Sequence, residues 1–247
     1  MEKTVSQMKI GDRLIFGSYS TNINNNGVPI VWLKASKDCD FIACDVLDFL
    51  SFDSPQTDFR RGCADYATSN ILSFLNSESP WWYVPKRFED APPMSYKDHF
   101  GFLYYFDDYE LVSLVEKEGT LMRLPTALEI KGGFSLFKRK GVRARASVDC
   151  MRHRFENNHF ANYWLRPEES AVLDQYTAVP CLGISGKVEH HWPSRKMGLR
   201  PVCTIDPLVS VKNVCGNEFT IIPFEVTEKW TCTDDELMDF LGIAINL

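Results

Sequence analysis

Two strand-like segments flank an asparagine–glycine turn near the start of the chain, and this pattern most constrains the fold. Residues 14–19 and 29–33 carry β-branched and aromatic side chains on either side of residues 24–27, which read Asn-Asn-Asn-Gly. Asn-Gly readily adopts the positive φ angles of a hairpin turn, so the two segments are predicted to pair as antiparallel strands. Residues 41–47 form a short apolar run with polar borders, which predicts a third, mostly buried strand.

Helical spacing replaces the strand pattern at three places further along. Residues 71–75 place apolar side chains at helical spacing after the candidate cap Ser69, which predicts a first helix. The segment 107–119 begins with two aspartates and ends at a glycine, which predicts a second helix. Residues 126–129 read Thr-x-x-Glu, a capping-box pattern that Gly132 closes within about two turns. This pattern predicts a short third helix.

Composition and charge narrow the class of protein. The chain has 45% hydrophobic and 13% aromatic residues, which is typical of an ordered globular protein. No apolar run approaches the roughly 18 residues that span a bilayer, and the polar start lacks a signal-peptide core, so a cytoplasmic protein without membrane contact is predicted. A net charge of −6 offers no global attraction to nucleic acid. The eight cysteines form no CxxC pair, and we expect free thiols.

Six short motifs occur along the first two hundred residues. They are Phe16-Gly17-x-Tyr19, Pro29-Ile30-x-Trp32, Tyr66-x-x-Ser69 with Leu75-Asn76, Leu124-Pro125-Thr126, Tyr163-Trp164-Leu165-Arg166 and Gly198-Leu199-Arg200-Pro201. In this order the chain resembles a family of uncharacterised bacterial and phage domains. That family is similar to a branch of the C-type-lectin-like fold, related to formylglycine-generating enzymes and to variable proteins diversified by retroelements.

The resemblance covers roughly residues 10–206 and implies an α+β domain. A small twisted antiparallel sheet and two to three helices would hold long loops in a C-type-lectin-like core over residues 1–206. Residues 207–247 have no counterpart in the family, and a strand over 219–226 and a final helix over 233–241 are predicted there. We expect this C-terminal extension to pack on the same domain.

By resemblance, ligand contacts lie in residues 167–197, an irregular segment just before the final core strand. This segment combines aromatic faces with hydrogen-bonding and cationic tips, at Tyr176, His190, His191, Trp192, Arg195 and Lys196. Such mixtures are enriched at protein-recognition surfaces, so the predicted partner is another protein. The alternative is that Trp192 fills the core and the charges are solvated.

Metal and redox chemistry have weaker support. Cys181, His190, His191 and Cys203 fall within 23 residues, but their spacing lacks the paired ligands of structural zinc sites. The carboxylates of residues 167–197 are too scattered for a calcium loop. No metal or cofactor is therefore predicted. A degenerate oxidase-like enzyme remains an alternative, and it requires an exposed, reactive Cys181 or Cys203.

A basic segment over residues 138–154 stands out in this acidic chain. It carries seven Lys or Arg residues, and Arg143 and Arg145 alternate with alanines, so on a strand they share one face. Such a cluster can contact phosphates or an acidic protein surface, which makes nucleic acid the alternative partner; a solvated loop is the other interpretation. Arg166 and Arg200 lie between apolar neighbours and are predicted to be partly buried structural pins.

Together these observations predict a non-enzymatic binding protein, and the resemblance implies a bacterial or phage origin. Two specific versions fit it: a phage or mobile-element inhibitor of a host defence complex, acting in the host cytoplasm, and an adhesion or receptor-binding module. Both place recognition on loops held by a rigid sheet.

Overall fold

The computed structural model describes residues 2–20, 28–53, 62–76, 103–138, 143–145, 160–167 and 178–224. The described part is mainly β with a few short helices, arranged as a ten-stranded sheet, a five-stranded sheet and a separate two-stranded pair. The strands are β1 (Glu2–Thr4), β2 (Arg13–Ser20), β3 (Val28–Lys34), β4 (Asp40–Ala43), β5 (Asp48–Ser51), β6 (Leu103–Tyr105), β7 (Leu114–Val115), β8 (Met122–Arg123), β9 (Ala144–Arg145), β10 (Phe160–Ala161), β11 (Tyr163–Trp164), β12 (Val179–Leu182), β13 (Val188–His191), β14 (Lys196–Leu199), β15 (Val202–Ile205), β16 (Ser210–Cys215) and β17 (Glu218–Ile221). The helices are α1 (Asn70–Leu75) and α2 (Asp108–Leu111), with 3-10 turns at Val5–Gln7 and Ser135–Lys138 and a π-helical turn at Glu129–Gly133.

The predicted hairpin lies within the larger sheet. β2 and β3 pair antiparallel, with Leu14 opposite Trp32 and Tyr19 opposite Val28, which confirms the pairing; residues 24–27 lie outside the described residues. The strand order is β1-β16-β17-β2-β3-β4-β15-β7, with β6 also paired to β2 and β8 to β15. This sheet is larger than the small antiparallel one that the resemblance implied, and β17 joins β2 in parallel.

The glycine of the first motif has a structural cause. The register of β2 against β3 shifts between Ile15 and Ser18, and Gly17 lies in this bulge with φ of 62°. The ring of Phe106 packs where a Cβ at Gly17 would lie. Both the positive φ and the close aromatic contact therefore favour glycine.

The smaller sheet brings the two most prominent motifs together. Its order is β13-β12-β11-β14-β5, and β11 pairs in parallel with β14, with Tyr163 opposite Gly198. A Cβ at Gly198 would lie 2.6 Å from the carbonyl oxygen of Asn162, so the close approach of the two strands requires glycine. The prediction of an irregular segment over 167–197 is wrong for residues 178–197, because β12 and β13 pair as a regular antiparallel hairpin that buries Val179 and Cys181.

The predicted third strand also differs from the structure. The run over 41–47 divides at Ala43, where the chain leaves the larger sheet and enters the smaller one through β5. The backbone N–H of Val46 donates to the Arg145 carbonyl at 2.8 Å, and that of Leu47 donates to the Leu199 carbonyl at 2.9 Å. The hydrogen-bond partners change along the run, so an apolar segment that reads as one strand serves two sheets.

The two sheets share their hydrophobic core. Each of the two buried clusters draws side chains from both sheets, so the layers pack on each other. Trp32 and Trp164 are fully buried, and their indole N–H groups donate to the carbonyls of Phe16 at 3.1 Å and Leu50 at 2.8 Å. These bonds satisfy the only polar atom of each ring, so each tryptophan contributes its large apolar area without an unpaired donor.

The local helix signals have mixed outcomes. Ser69 caps α1 as predicted, since its hydroxyl accepts from the Leu72 N–H at 3.3 Å. Thr126 and Glu129 form the predicted capping box, with bonds of 2.8 and 3.1 Å in the two directions. The turn that follows ends at Gly132 and Gly133 but is largely π-helical.

The predicted second helix is wrong beyond residue 111. Leu114–Val115 forms β7, which pairs with β15, and the chain then turns at Glu118 and Gly119 with φ of 56° and 75°. The flanking residues exchange backbone hydrogen bonds of 2.9 and 3.2 Å, as in a two-residue hairpin. A helix end and a hairpin turn both use positive φ, so the glycine alone does not distinguish them.

The described part of the tail belongs to the larger sheet. β16 pairs with β1, and β17 pairs with both β16 and β2, so these residues add strands beside the N-terminal strands. The predicted final helix lies outside the described residues. None of the helices in the described ranges is long and apolar enough to cross a membrane.

Candidate functional site

The sequence-predicted binding residues fall in two places. The first is the Trp192 turn, residues 190–196, which connects β13 to β14 and contains His190, His191, Trp192, Arg195 and Lys196. The second is β9, where Arg143 and Arg145 flank Ala144. Lys196 begins β14 and Arg200 follows its end. These two residues are therefore about 13 Å apart along the strand, at about 3.3 Å per residue. Tyr176 lies outside the described residues.

Hydrogen bonds from β5 and the residues after it fix the Trp192 turn. The N–H of Asp53 donates to the carbonyl of buried Pro193 at 3.1 Å, and the Ser51 hydroxyl donates to the carbonyl of Ser194 at 3.0 Å. Trp192 itself is 44% exposed. The alternative that Trp192 fills the core is therefore wrong, and the ring stands at the surface of an anchored turn.

The side chains around Trp192 are mainly cationic or imidazole. His190, Arg195 and Lys196 are exposed, whereas His191 is half-buried. An Arg195 Nη1 atom lies 2.9 Å from His191 Nδ1. A guanidinium only donates, so Nδ1 is the acceptor in this hydrogen bond, and the other ring nitrogen, Nε2, lies 3.5 Å from a Glu189 carboxylate oxygen.

Cys181, Glu189 and His191 form a metal-sized cluster beside this turn. Their ligand atoms lie within 4.8 Å of one another, because Glu189 and His191 share a face of β13 and Cys181 is opposite Glu189. A metal there must displace the proton of Cys181, because burial raises the pKa of this thiol to about 12. The guanidinium of Arg195, which contacts His191, places a positive charge beside the same cluster. The geometry brings three donors together, but their hydrogen bonds and charge disfavour a divalent ion.

The thiols that an oxidase-like site requires are both buried. Cys181 lies in β12, and Cys203 lies in β15 of the other sheet. Burial raises the pKa of Cys203 well above its usual value, as it does that of Cys181. Since the thiolate is the reactive form, neither side chain suits nucleophilic or redox chemistry in this arrangement.

A cavity of about 220 Å³ lies beneath β9 and is lined by four arginines, Arg13, Arg143, Arg145 and Arg200, together with Asp45. We call it the arginine cavity. The prediction that Arg143 and Arg145 share a face holds, since both are exposed while Ala144 between them is buried. The structure adds arginines from two distant parts of the chain. The cavity is partly open to solvent.

Arg200 forms the fixed wall of the arginine cavity. Its side chain is 2% exposed, and its Nε–H donates to the Ala43 carbonyl at 2.9 Å while Nη1–H donates to the Tyr163 hydroxyl at 3.1 Å. The guanidinium also lies 5.6 Å from the Phe137 ring centroid. The prediction of a buried pin is confirmed, and this pin also faces the cavity. Arg13 pairs with Glu218 at 2.8 Å.

Arg143 and Arg145 are held differently, over an aromatic ring. Their guanidinium carbons lie 4.3 and 5.7 Å from the centroid of Phe160, which belongs to β10 and pairs with β9. Within the described ranges neither guanidinium has a hydrogen bond or ion pair. Cation–π contact orients these two groups, and their N–H donors have no acceptor among the residues that the structure describes.

Asp45 is the carboxyl group of the arginine cavity. Burial raises the pKa of Asp45 above its usual value, although the charges of Arg200, Arg13 and Arg145 act in the opposite direction. None of these arginines forms an ion pair with Asp45 among the described residues. Asp45 therefore lies in the field of three arginines that line the cavity, without a direct ion pair to any of them within the described residues.

The sequence alone did not indicate that Arg13 and Arg200 share a cavity with Arg143 and Arg145. Arg166, the other predicted pin, contacts Glu118 and lies 5.4 Å from the Tyr66 ring centroid, away from this cavity. Only non-local pairing brings the four together, and no local pattern signals it. No family model, curated protein sequence or solved structure matches the chain.

Proposed function

We propose that the chain is a non-enzymatic binding protein with a C-type-lectin-like core, which recognises an acidic, extended segment of another protein. The Trp192 turn and β13 form the recognition surface. The observation that carries the proposal is an anchored tryptophan, 44% exposed, at the end of an edge strand. Anchoring matters because a contact residue held in place before binding loses little conformational freedom on association.

β13 suits addition of a strand from a partner. It is the last strand of the five-stranded sheet in the described part of the chain, and on its other side it pairs with β12. Edge strands offer main-chain N–H and C=O groups that an extended peptide can pair with, and alternating side chains then give selectivity. Side chains alternate along β13, so Val188 and His190 lie on one face of the extended sheet, and Glu189 and His191 lie on the other.

Charge supports an acidic partner. Lys187, Arg195 and Lys196 are exposed around Glu189, which leaves this surface positive on a chain with a net charge of −6. Complementary charge on the two surfaces raises the association rate and disfavours partners whose charges are of the same sign. Tryptophan is also the side chain most enriched at binding hot spots.

The adjacency of β11 and β14 supports the lectin-like core, since it joins the two motifs on which the resemblance most depends. Within this function, the specific versions are an inhibitor of a host defence complex encoded by a phage or mobile element, and an adhesion module. An acidic target fits the inhibitor version, because this chain would then occupy a site that the target uses for a cationic ligand.

Affinity capture from a bacterial lysate with matched variants tests this function. The full chain and three variants, Trp192→Ala, Lys196→Glu and Leu208→Ala, serve as bait, and retained proteins are quantified by mass spectrometry. Leu208 is 77% exposed in the turn after β15, so its truncation is a control for the loss of exposed apolar surface. Loss of a tryptophan hot spot costs about 2 kcal/mol, which is a roughly 30-fold loss of affinity.

The expected result is one protein retained by the wild type and by L208A, and lost with W192A and K196E. Hydrogen–deuterium exchange of the complex should then show new protection of the β13 amides. Retention that is equal in all four baits, or protection confined to other strands, refutes the proposal. A bait that retains no protein also refutes it.

A further inference from the structure

We infer that the arginine cavity is a binding site for a small phosphate-bearing molecule, held through Arg143 and Arg145 against the fixed guanidinium of Arg200. This site is separate from the protein-binding surface, at the other end of β14, and does not depend on the proposed function. The four arginines and Asp45 line one cavity of about 220 Å³.

The charge of the cavity favours an oxyanion. Glu218 pairs with Arg13, and among the described residues that line the cavity Asp45 is the one carboxyl group beside Arg143, Arg145 and Arg200. Like charges that line a shared space repel each other, and a bound anion removes this repulsion. Arginine presents a planar fork of donors that matches the oxygens of a phosphate.

The arrangement of donors is prepared for a ligand. Phe160 orients Arg143 and Arg145 from one side, and their N–H groups have no acceptor among the described residues. Arg200 is fixed by hydrogen bonds to the Ala43 carbonyl, the Tyr163 hydroxyl and the Cys44 carbonyl, and by the Phe137 ring, so it contributes positive charge at a constant position. Two adaptable donors opposite one rigid cation can enclose a tetrahedral group without reorganising the fold.

The volume of the cavity suits a small ligand. About 220 Å³ corresponds to roughly seven waters at about 30 Å³ each, and ligand pockets for drug-sized molecules begin near 300 Å³. Pyrophosphate or a short phosphate ester fits this volume. A nucleic acid chain instead needs an extended basic groove with several stacking rings, and the two phenylalanines here already contact arginines.

Isothermal titration calorimetry with pyrophosphate, inorganic phosphate and a short single-stranded oligonucleotide tests the inference at low ionic strength. The test variant is the double substitution Arg143→Gln and Arg145→Gln. The control is the double substitution Lys37→Gln and Lys212→Gln, which removes the same charge from exposed positions outside the cavity. Circular dichroism establishes that each variant is folded.

We expect saturable binding of pyrophosphate by the wild type and the lysine control, and at least about tenfold weaker binding by the arginine variant, since each lost charge-assisted bond contributes substantially. A second variant, Asp45→Asn, should bind pyrophosphate more tightly, because it removes the negative charge beside the anion. A purely structural role for Asp45 predicts no such gain.

Three results overturn the inference. One is the absence of pyrophosphate and phosphate binding by the wild type. Another is equal weakening in the arginine and lysine variants, which indicates only non-specific attraction. The third is tighter binding of the oligonucleotide than of pyrophosphate with a steep salt dependence, which assigns Arg143 and Arg145 to nucleic acid instead.

Discussion

Asp40 connects β4 to β15 and to the turn after β7, and its replacement by asparagine is the sharpest test of the fold. The side chain is almost fully buried at the start of β4. It accepts hydrogen bonds from the Ser36 hydroxyl at 2.8 Å, the Lys117 ammonium at 2.9 Å and the Thr204 hydroxyl at 2.8 Å. Thr204 belongs to β15 and Lys117 to the turn after β7, so one carboxylate connects β4 to both.

The expected loss can be worked from these contacts. Asparagine keeps the size of the side chain but removes its charge, so each bond falls from the range of about 1.5–3 kcal/mol to about 0.5–1.5 kcal/mol. Three bonds then lose about 1 kcal/mol each. Two effects offset part of this loss: Lys117 is 40% exposed, so its ammonium is hydrated in the variant, and asparagine avoids the cost of burying a charge. We therefore expect a net loss of about 2 kcal/mol in the free energy of unfolding.

The assay is urea unfolding followed by tryptophan fluorescence, supported by thermal melts. For a chain of this size, about 2 kcal/mol corresponds to a fall in Tm of about 4–8 °C. Asp38→Asn is the matched control, because Asp38 is exposed two residues away and carries the same charge. The control should change the free energy of unfolding by less than about 0.5 kcal/mol.

The pH dependence gives the result that would refute this reasoning. Burial acts to raise the pKa of Asp40, but the hydrogen bonds from Lys117, Ser36 and Thr204 outweigh it and lower the pKa below its usual value. The ionised carboxylate therefore stabilises the fold above the unfolded-state pKa of about 3.9, and this stability is lost as the pH falls through the lowered folded-state pKa. The difference between wild type and D40N should shrink in that acid range. A difference that stays constant to low pH, or a stabilised D40N, contradicts the assignment.

Three further predictions concern other parts of the molecule. Gly198→Ala places a Cβ against the Asn162 carbonyl and should destabilise the fold by about 1–3 kcal/mol in urea unfolding; an unchanged midpoint contradicts the close strand approach. A thiol reagent with site mapping by mass spectrometry should label exposed Cys215 in the folded chain and Cys181 only after unfolding, and rapid labelling of Cys181 contradicts its burial. Thr126→Ala should lower stability by about 1 kcal/mol through loss of the capping box, and Thr126→Ser should restore it.

Local signals in the sequence predicted local structure well. The segments around residues 24–27 predicted the β2–β3 pair, and the side chains of Ser69 and Thr126 predicted helix starts, because each signal depends on atoms a few residues apart. Gly119 misled for the same reason. Its positive φ suits a helix end and a hairpin turn alike, and the element around it was decided by pairing with β15, which lies more than eighty residues later.

The candidate sites divide along the same line. The exposed residues of the Trp192 turn were readable from composition, because aromatic and cationic side chains adjoin in sequence. Two of the four arginines that line the arginine cavity, Arg143 and Arg145, were also predicted as binding residues from the sequence. Arg13 and Arg200 enter it through the ends of β2 and β14, and their positions depend on how two sheets pack. A pattern read along one chain does not encode that packing directly.

The parallel pairing of β17 with β2 has a consequence for biosynthesis. The Arg13–Glu218 pair spans 205 residues, and at about 5–20 residues per second a ribosome needs about 10–40 s to make that stretch. During this interval the start of β2 has an open side that β17 will later fill, in a nascent chain already able to form the β2–β3 hairpin. Unpaired strand edges pair readily with other chains, so the start of β2 is open to wrong pairing until β17 has been synthesised.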